Sequence, residues 1–364
     1  MYIWKREDFA SSTNKMKIFI EAMHGMGDVV CMLPMFREVR ENWPDSQITV
    51  LVQNKGIMDV VRLSGLNIDR IIGINAHLNK FEFLKMLLKL RREKFDLSIS
   101  AAGTPLLKAR LVSWIVGAKK QAGIRFDKKK FASYGSPENY HFVDFNLLIL
   151  EQLGITNHHY NPRLIPDPQD VAKFVNVIDR SRPVIGVLIG RADAWQNNRT
   201  KIGKLYTREW GGGIRHITHI ATLIKLLLAQ NWQVVLIGGK QELEVHDALS
   251  PELLNECIDY VGKTSVAESI ALVSLCNVTV GVDTGMQHIA DAVGIKTVSI
   301  FGTTNPKTHG AYSDKAVFAE VDEPCKYCYD PYNLHLYLHC EHRRCLDRIT
   351  PEQVLKLIAL QLNE

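Results

Sequence analysis

The stretch Gly281–Gly302, GVDTGMQHIADAVGIKTVSIFG, decides the fold. Val278–Val282, which runs into it, is short, β-branched and apolar, whereas Met286, Ile289, Ala290 and Val293 recur at the i, i+3, i+4, i+7 spacing of one helical face. The period changes at Asp283-Thr284-Gly285. Gly294 supplies a helix stop, and Thr297–Phe301 reads as a buried strand ending in Gly302. The result is a βαβ unit of a parallel sheet, and ligands of such sheets sit outside the carboxyl ends of the strands. Asp283, Thr284 and Gly285 occupy that end. The unpaired amides of a first helical turn and its dipole suit a phosphate, and Gly285 lets a ligand approach the backbone. Asp283 would be repelled by phosphate, so a hydroxyl or amide donor is its expected partner. His288 falls in the first turn, off the apolar face and towards the loop. The competing reading makes Asp283 and Thr284 helix caps and His288 a residue satisfied by the loop.

Working outward, the same alternation repeats. Lys17–Glu21 is a strand running into Ala22-Met23-His24-Gly25-Met26-Gly27-Asp28, and a helix is expected from Val29 to about Asn42, with Pro34 kinking or delaying its first turn. Ile48–Val52 and Asp96–Ser100 are strands, and Phe81–Arg92 and Phe142–Leu153 are helices. Asn161–Pro183, with four prolines around a short helical stretch, is the expected interdomain connection. Val184–Ile189 opens a second α/β set containing Thr218–Leu228, Gln233–Ile237 and Ala267–Leu275. Pro351–Leu362 is a closing amphipathic helix. Strands alternating with helices mean parallel α/β layers. The expected domains are 1–165, 166–350 and a terminal helix at 351–364.

The 364 residues suffice for two such domains. A net charge of +5 suits an anionic ligand or an acidic membrane face but lacks the dense basic clusters of a nucleic-acid binder. Lys119–Lys130 is locally basic and is otherwise read as a solvated loop. No apolar signal segment and no run of eighteen apolar residues appears, so a cytoplasmic protein is expected.

D-T-G-x-x-H at Asp283–His288, then a small-residue helix, a Gly, a strand and F-G-x-T-x-P at Phe301–Pro306, resembles glycosyltransferase family 9, the heptosyltransferases. The resemblance covers roughly residues 16 to 362. It implies the GT-B arrangement of two facing Rossmann-like domains, with a C-terminal helix returning to the first. It also implies a nucleotide-sugar donor, most directly ADP-heptose, and an inverting transfer without a catalytic divalent metal. The acceptor would be a hydroxyl of lipopolysaccharide core or of a protein Ser or Thr, with contact at the inner membrane face and oligomerisation both compatible.

Gly27-Asp28-Val29-Val30 with Pro34 resembles the family's first-domain motif, which makes Asp28 the general base and His24, Gly25, Met26 and Gly27 the acceptor-side loop. A transfer onto a hydroxyl needs such a group to take the proton; the competing reading of Asp28 is a helix N-cap. Many members carry a basic residue where Ala22 stands. Arg191, Lys201 and Lys204 are eligible to offset charge on the departing nucleoside diphosphate. Glu242 or Glu244 matches a position near the ribose, though an acid there also suits a helix start. Gly262-Lys263-Thr264-Ser265 fits the family as a loop and is not a P-loop.

Cys325, Cys328, Cys340 and Cys345 gather four thiols in twenty-one residues, the ligand count of a structural zinc or iron site. His335, His339 and His342 lie nearby, and packed free thiols are the competing reading. The segment looks similar to the cysteine finger of the autotransporter protein heptosyltransferases, which raises a protein acceptor. A non-catalytic nucleotide-sugar binder or metal-finger module on the same scaffold is the alternative from another functional class.

Overall fold

A computed structural model describes residues 15–74, 79–104, 106–123, 140–156, 160–190, 218–328 and 344–363. The chain divides into two compact units, Met1–Ile165 and Pro166–Glu364. In the first, β1 (Lys17–Ala22) leads into α1 (Met26–Asn42), followed by β2 (Gln47–Val52), α2 (Lys55–Arg62), β3 (Arg70–Gly73), α3 (Lys80–Leu90), β4 (Leu97–Ser100), α4 (Leu106–Val116), β5 (Lys120–Gly123) and α5 (Phe142–Glu151). The strands are parallel in the order β3-β2-β1-β4-β5.

The second unit contains α6 (Pro168–Ala172), β6 (Val184–Leu188), α7 (Thr218–Ala229), β7 (Gln233–Ile237), α8 (Leu243–His246), α9 (Pro251–Asn255), β8 (Ile258–Asp259), α10 (Val266–Val273), β9 (Val278–Val282), α11 (Gly285–Val293), β10 (Lys296–Ile300), α12 (Pro306–His309), β11 (Ala316–Ala319), α13 (Arg344–Asp347) and α14 (Pro351–Asn363). Its order is β11-β10-β9-β6-β7-β8, again all parallel. In both sheets the first strand pairs with the second and the fourth, so strand order reverses beside it. That reversal is the topological switch point where an α/β sheet opens a crevice at its carboxyl edge.

Local chemistry explains the elements. The central strands are nearly wholly apolar, as burial on both faces of a parallel sheet demands. Val278, Val280 and Val282 of β9 join a core with Ile220, Leu223 and Leu227 of α7 and Val354 and Ile358 of α14. Ser265 caps α10 and takes Glu268 in a reciprocal box, while Gly294, at φ 96°, ends α11 in the left-handed conformation that a Cβ disfavours.

The structure differs from the sequence expectation in three places. Helix α1 begins at Met26, before the expected Val29, and continues through a buried Pro34, because Pro there removes a single backbone bond that the surrounding core outweighs. The inner side of α11 carries buried Gln287 and Asp291 beside Ile289 and Ala290, while Met286 and Val293 are half-buried. The closing helix, expected to return to the first domain, belongs to the second unit. It packs on α7 and β9–β11, and Lys296 Nζ donates to its Gln361 carbonyl at 2.7 Å. Among the described residues no helix is long and apolar enough to cross a membrane.

Candidate active site

At the first unit's switch point, β1 ends and the chain turns through Met23 and His24 into α1. Gly25 holds the N-cap position and has no side chain to cap with; its amide instead donates to Asp28 Oδ2 at 3.0 Å. Asp28 therefore lies at the third position of the helix rather than at the cap, and Gly27 and Met26 are helical rather than part of the loop. Its carboxyl is half-buried, and burial pushes its pKa above the usual carboxylate range, against the opposing pull of His24 and the Gly25 hydrogen bond.

His24 leads to three residues that the sequence did not single out. Its Nε2 lies 2.7 Å from Thr104 Oγ1, and that hydroxyl donates to Glu21 Oε2 at 2.8 Å. Glu21 is fully buried at the end of β1, with Lys108 Nζ 3.6 Å from Oε1. Because the single hydroxyl proton of Thr104 goes to the carboxylate, Thr104 accepts the Nε2 proton of His24, which leaves the lone pair on Nδ1. Burial lowers the His24 pKa, assisted by Lys108 and opposed by Glu21 and Asp28, so the neutral imidazole is favoured. A lone acid inside an otherwise apolar strand, IFIEAM, was the available signal for Glu21. Thr104 and Lys108 are 83 and 87 residues away, beyond any local pattern.

In the second unit three loops meet at the switch point between β6 and β9. A Cβ built on Gly190 would lie 2.5 Å from Thr284 Cγ2 and 3.0 Å from Val282 Cγ2, so only glycine allows the loop after β6 to press against the β9–α11 loop. One on Gly238 would meet the Ile189 carbonyl at 3.1 Å, which brings in the loop after β7. Asp283 Oδ2 accepts from Thr304 Oγ1 at 2.7 Å, the hydroxyl donor that its position called for, and the bond ties the loop after β9 to the one after β10. Thr284 is the N-cap of α11 but makes no side-chain capping bond. Its hydroxyl and the first amides of the helix are thus presented at the carboxyl edge of the sheet, a geometry made for an anion. His288 is half-buried in the first turn. Gln287 faces inward and donates to the carbonyls of Gly281 and Val298.

Glu242 Oε2 accepts from the Gly239 amide at 2.8 Å, the helix-start role, and Glu244 is exposed. Lys263 is paired with Asp259. Arg191, Lys201 and Lys204 lie outside the described residues, as do Cys340, His335, His339 and His342. Cys325 and Cys328 are half-buried and Cys345 is buried in the core under α14. The turn that carries the first two and the helix that carries the third both reach Gly302: its carbonyl accepts from Tyr327 N at 2.8 Å, and a Cβ there would lie 2.9 Å from the Cys345 carbonyl. Among the described residues no three His, Cys, Asp or Glu side chains are placed to hold a metal ion.

Two parallel sheets of the same order, one edge carrying a buried acid and the other a helix N-terminus, define a two-domain α/β protein with a topological switch point in each domain. The model of glycosyltransferase family 9 (heptosyltransferase) matches residues 83–335, and the chain belongs to that family of enzymes. Lipooligosaccharide heptosyltransferase 2 of Campylobacter jejuni is 22% identical over 348 residues, 94% of this chain and 97% of that protein. Among solved structures, ADP-heptose lps heptosyltransferase II of E. coli has a TM-score of 0.70 at 20% identity, over 96% of this chain and 99% of that one. The iron-containing dodecameric glycosyltransferase TibC of enterotoxigenic E. coli has a TM-score of 0.58 at 14% identity, over 97% and 78%.

Proposed function

We propose that this protein moves heptose from ADP-heptose to a hydroxyl of a lipopolysaccharide core sugar, with inversion at the anomeric carbon and Asp28 as general base. The single observation that carries the assignment is the placement of Asp28 in the first turn of α1, held by the Gly25 amide at the carboxyl edge of the first sheet's switch point, where burial also raises its pKa. The acceptor oxygen attacks the anomeric carbon as the bond from that carbon to the diphosphate oxygen breaks. The acceptor's proton passes to Asp28 and ADP departs. Such proton transfer contributes about 10²–10⁴ in rate, most when the base titrates near the working pH. On the donor side the Thr284 hydroxyl and the first amides of α11 take the phosphate oxygens, with Asp283 holding the loop through Thr304. Arg191, Lys201 and Lys204 are the cations assigned to the leaving diphosphate.

The donor and acceptor follow the relatives' names, which cite ADP-heptose and lipooligosaccharide. In the same reading the four cysteines are the candidate thiolates of a structural zinc or iron; the three described ones are not gathered into a metal site, although the backbone of the Cys325–Cys328 turn and that of Cys345 meet at Gly302.

Calorimetric titration with ADP-heptose, using GDP-mannose and UDP-glucose as controls, is paired with single-turnover transfer to a deacylated core acceptor. Selective ADP-heptose binding that weakens about tenfold or more in Asp283→Ala is expected, from loss of a charge-assisted hydrogen bond. Binding of none of the three, or no transfer, overturns the reading.

A further inference from the structure

Two apolar stripes on the first unit are used by neither the core nor the chemistry. On α3, Phe81, Leu84 and Leu88 are 74, 41 and 50% exposed; on α4, Leu107, Leu111 and Trp114 are 81, 53 and 68% exposed. Spacings of three and four residues put each trio on one side of its helix. The opposite sides are buried together, Leu87 and Leu90 against Val112, Ile115 and Val116. Arg91 Nη1 then locks the helices side by side, donating to the Trp114 carbonyl at 2.9 Å and the Ile115 carbonyl at 3.2 Å. The outward stripes therefore form one face. Six such side chains leave on the order of 600 Å² of apolar surface, at the upper end of the largest patch on an ordinary monomer.

The charge around this face is as unusual as its apolarity. From Asn79 to Lys120 there are ten Lys and Arg against three Asp and Glu, an excess of seven in a chain whose whole excess is five. Lys80, Lys85, Lys89, Arg92, Lys94 and Arg110 are exposed. A cleft of about 390 Å³ at the end of α3 is walled by Ile72, Met86 and Leu90 and edged by Arg70, Lys89, Arg92 and Glu93. Aromatic and Leu side chains flanked by basic residues, on helices whose other side is core, suit the headgroup boundary of an anionic bilayer. A second copy of this chain fits poorly, since a two-fold interface would set this positive segment against itself.

We propose that the α3–α4 face docks on an anionic lipid surface, with Phe81, Leu107 and Trp114 at the acyl boundary and the flanking lysines and arginines on lipid phosphates. Leu107 adjoins Lys108, which pairs with Glu21 beneath His24. Docking by α4 thus holds the Asp28 edge of this unit close to the headgroups, where a lipid-borne acceptor presents its sugars. That consequence rests on the proposed function; the docking itself does not.

Flotation of the full chain with phosphatidylcholine vesicles, with and without phosphatidylglycerol, tests it. Binding only to the anionic vesicles, falling as salt rises, is expected. Brominated lipid should quench the Trp114 emission, and that signal should vanish in Trp114→Phe. Lys85→Gln with Lys89→Gln should weaken partitioning roughly 30-fold, at about fivefold per basic residue near an anionic surface. Phe81→Ser with Leu107→Ser and Trp114→Ser should abolish flotation. Both variants should keep the wild-type melting midpoint and the rate of transfer to a deacylated acceptor. Wild-type protein that fails to float, or a triple variant that floats equally well, overturns the proposal. So does a wild-type oligomer that the triple variant turns into monomers. Vesicle binding without any heptose transfer would instead sink the proposed function and leave the docking standing.

Discussion

Replacing Asp28 by Asn separates its chemistry from its role in the helix, because the two effects have opposite signs. The Asn Oδ1 can still accept from the Gly25 amide, the 3.0 Å bond that anchors the first turn of α1. What disappears is the charge and the ability to take a proton. The proposed mechanism requires kcat/KM to fall by about 10²–10⁴, or about 2.7–5.5 kcal/mol of transition-state stabilisation. Stability moves the other way. An unfolded Asp ionises near 3.8 and burial raises the folded value, so the folded state holds the proton more tightly. The favourable contribution is therefore full below pH 3.8 and is lost as pH rises through the folded value, leaving ionised Asp28 a net cost at neutral pH. Asp28→Asn should melt above wild type at pH 7.5 and level with it near pH 3.5, each kcal/mol of relief appearing as about 2–4 °C. Single-turnover transfer from ADP-heptose and circular-dichroism melts at the two pH values provide the readouts. A variant that transfers within about twofold of wild type, or melts below it at pH 7.5, refutes the general-base assignment. The wild-type rate should itself rise with pH through a value above the ordinary carboxylate range.

Thr104→Val removes the hydroxyl between Glu21 and His24; a loss of about 1–3 kcal/mol in stability is expected from the stranded polar groups. It should also cut kcat about tenfold with donor affinity unchanged and a displaced pH–rate profile, whereas an unaltered profile would confine Thr104 to a structural part. Gly190→Ala drives a Cβ against Thr284 and should weaken ADP-heptose binding while costing about 1–3 kcal/mol, so an unchanged calorimetric Kd would count against the second-unit crevice. Cys328→Ser should lower the zinc or iron content of the purified protein, read by plasma mass spectrometry, and full metal retention would remove that residue from the shell.

The central elements were legible because burial writes itself into composition. Lys17–Glu21, Gln233–Ile237 and Val278–Val282 are short apolar runs, and each is a central strand. The strands that escaped sequence reading are β3, β5, β8 and β11, the four sheet edges, which are short and partly exposed; KQAG and RIIG carry little β signal. The start of α1 was missed for a similar reason: Gly25 caps with no side-chain signature, and the one clue, an acid three residues later, was the catalytic candidate itself. On the donor side Asp283 and Thr284 were visible because they follow a strand and open a helix. Thr304 lay inside the quoted motif, but its bond to Asp283 depends on two loops meeting in space. Glu21, Thr104 and Lys108 likewise come together only when β1 and β4 pair.

Placing the first strand of each sheet in the middle has a cost during synthesis. β6 is VIGVL, apolar throughout, and its partner β9 starts ninety-four residues after it. At about 5–20 residues per second, a ribosome leaves one flank of that strand open for roughly 5–20 seconds. The cover helix α14 emerges after every strand of the sheet. Until then Val354 and Ile358 are missing from the core that contains β9 and β10, so the second unit is the part of the nascent chain most in need of a chaperone.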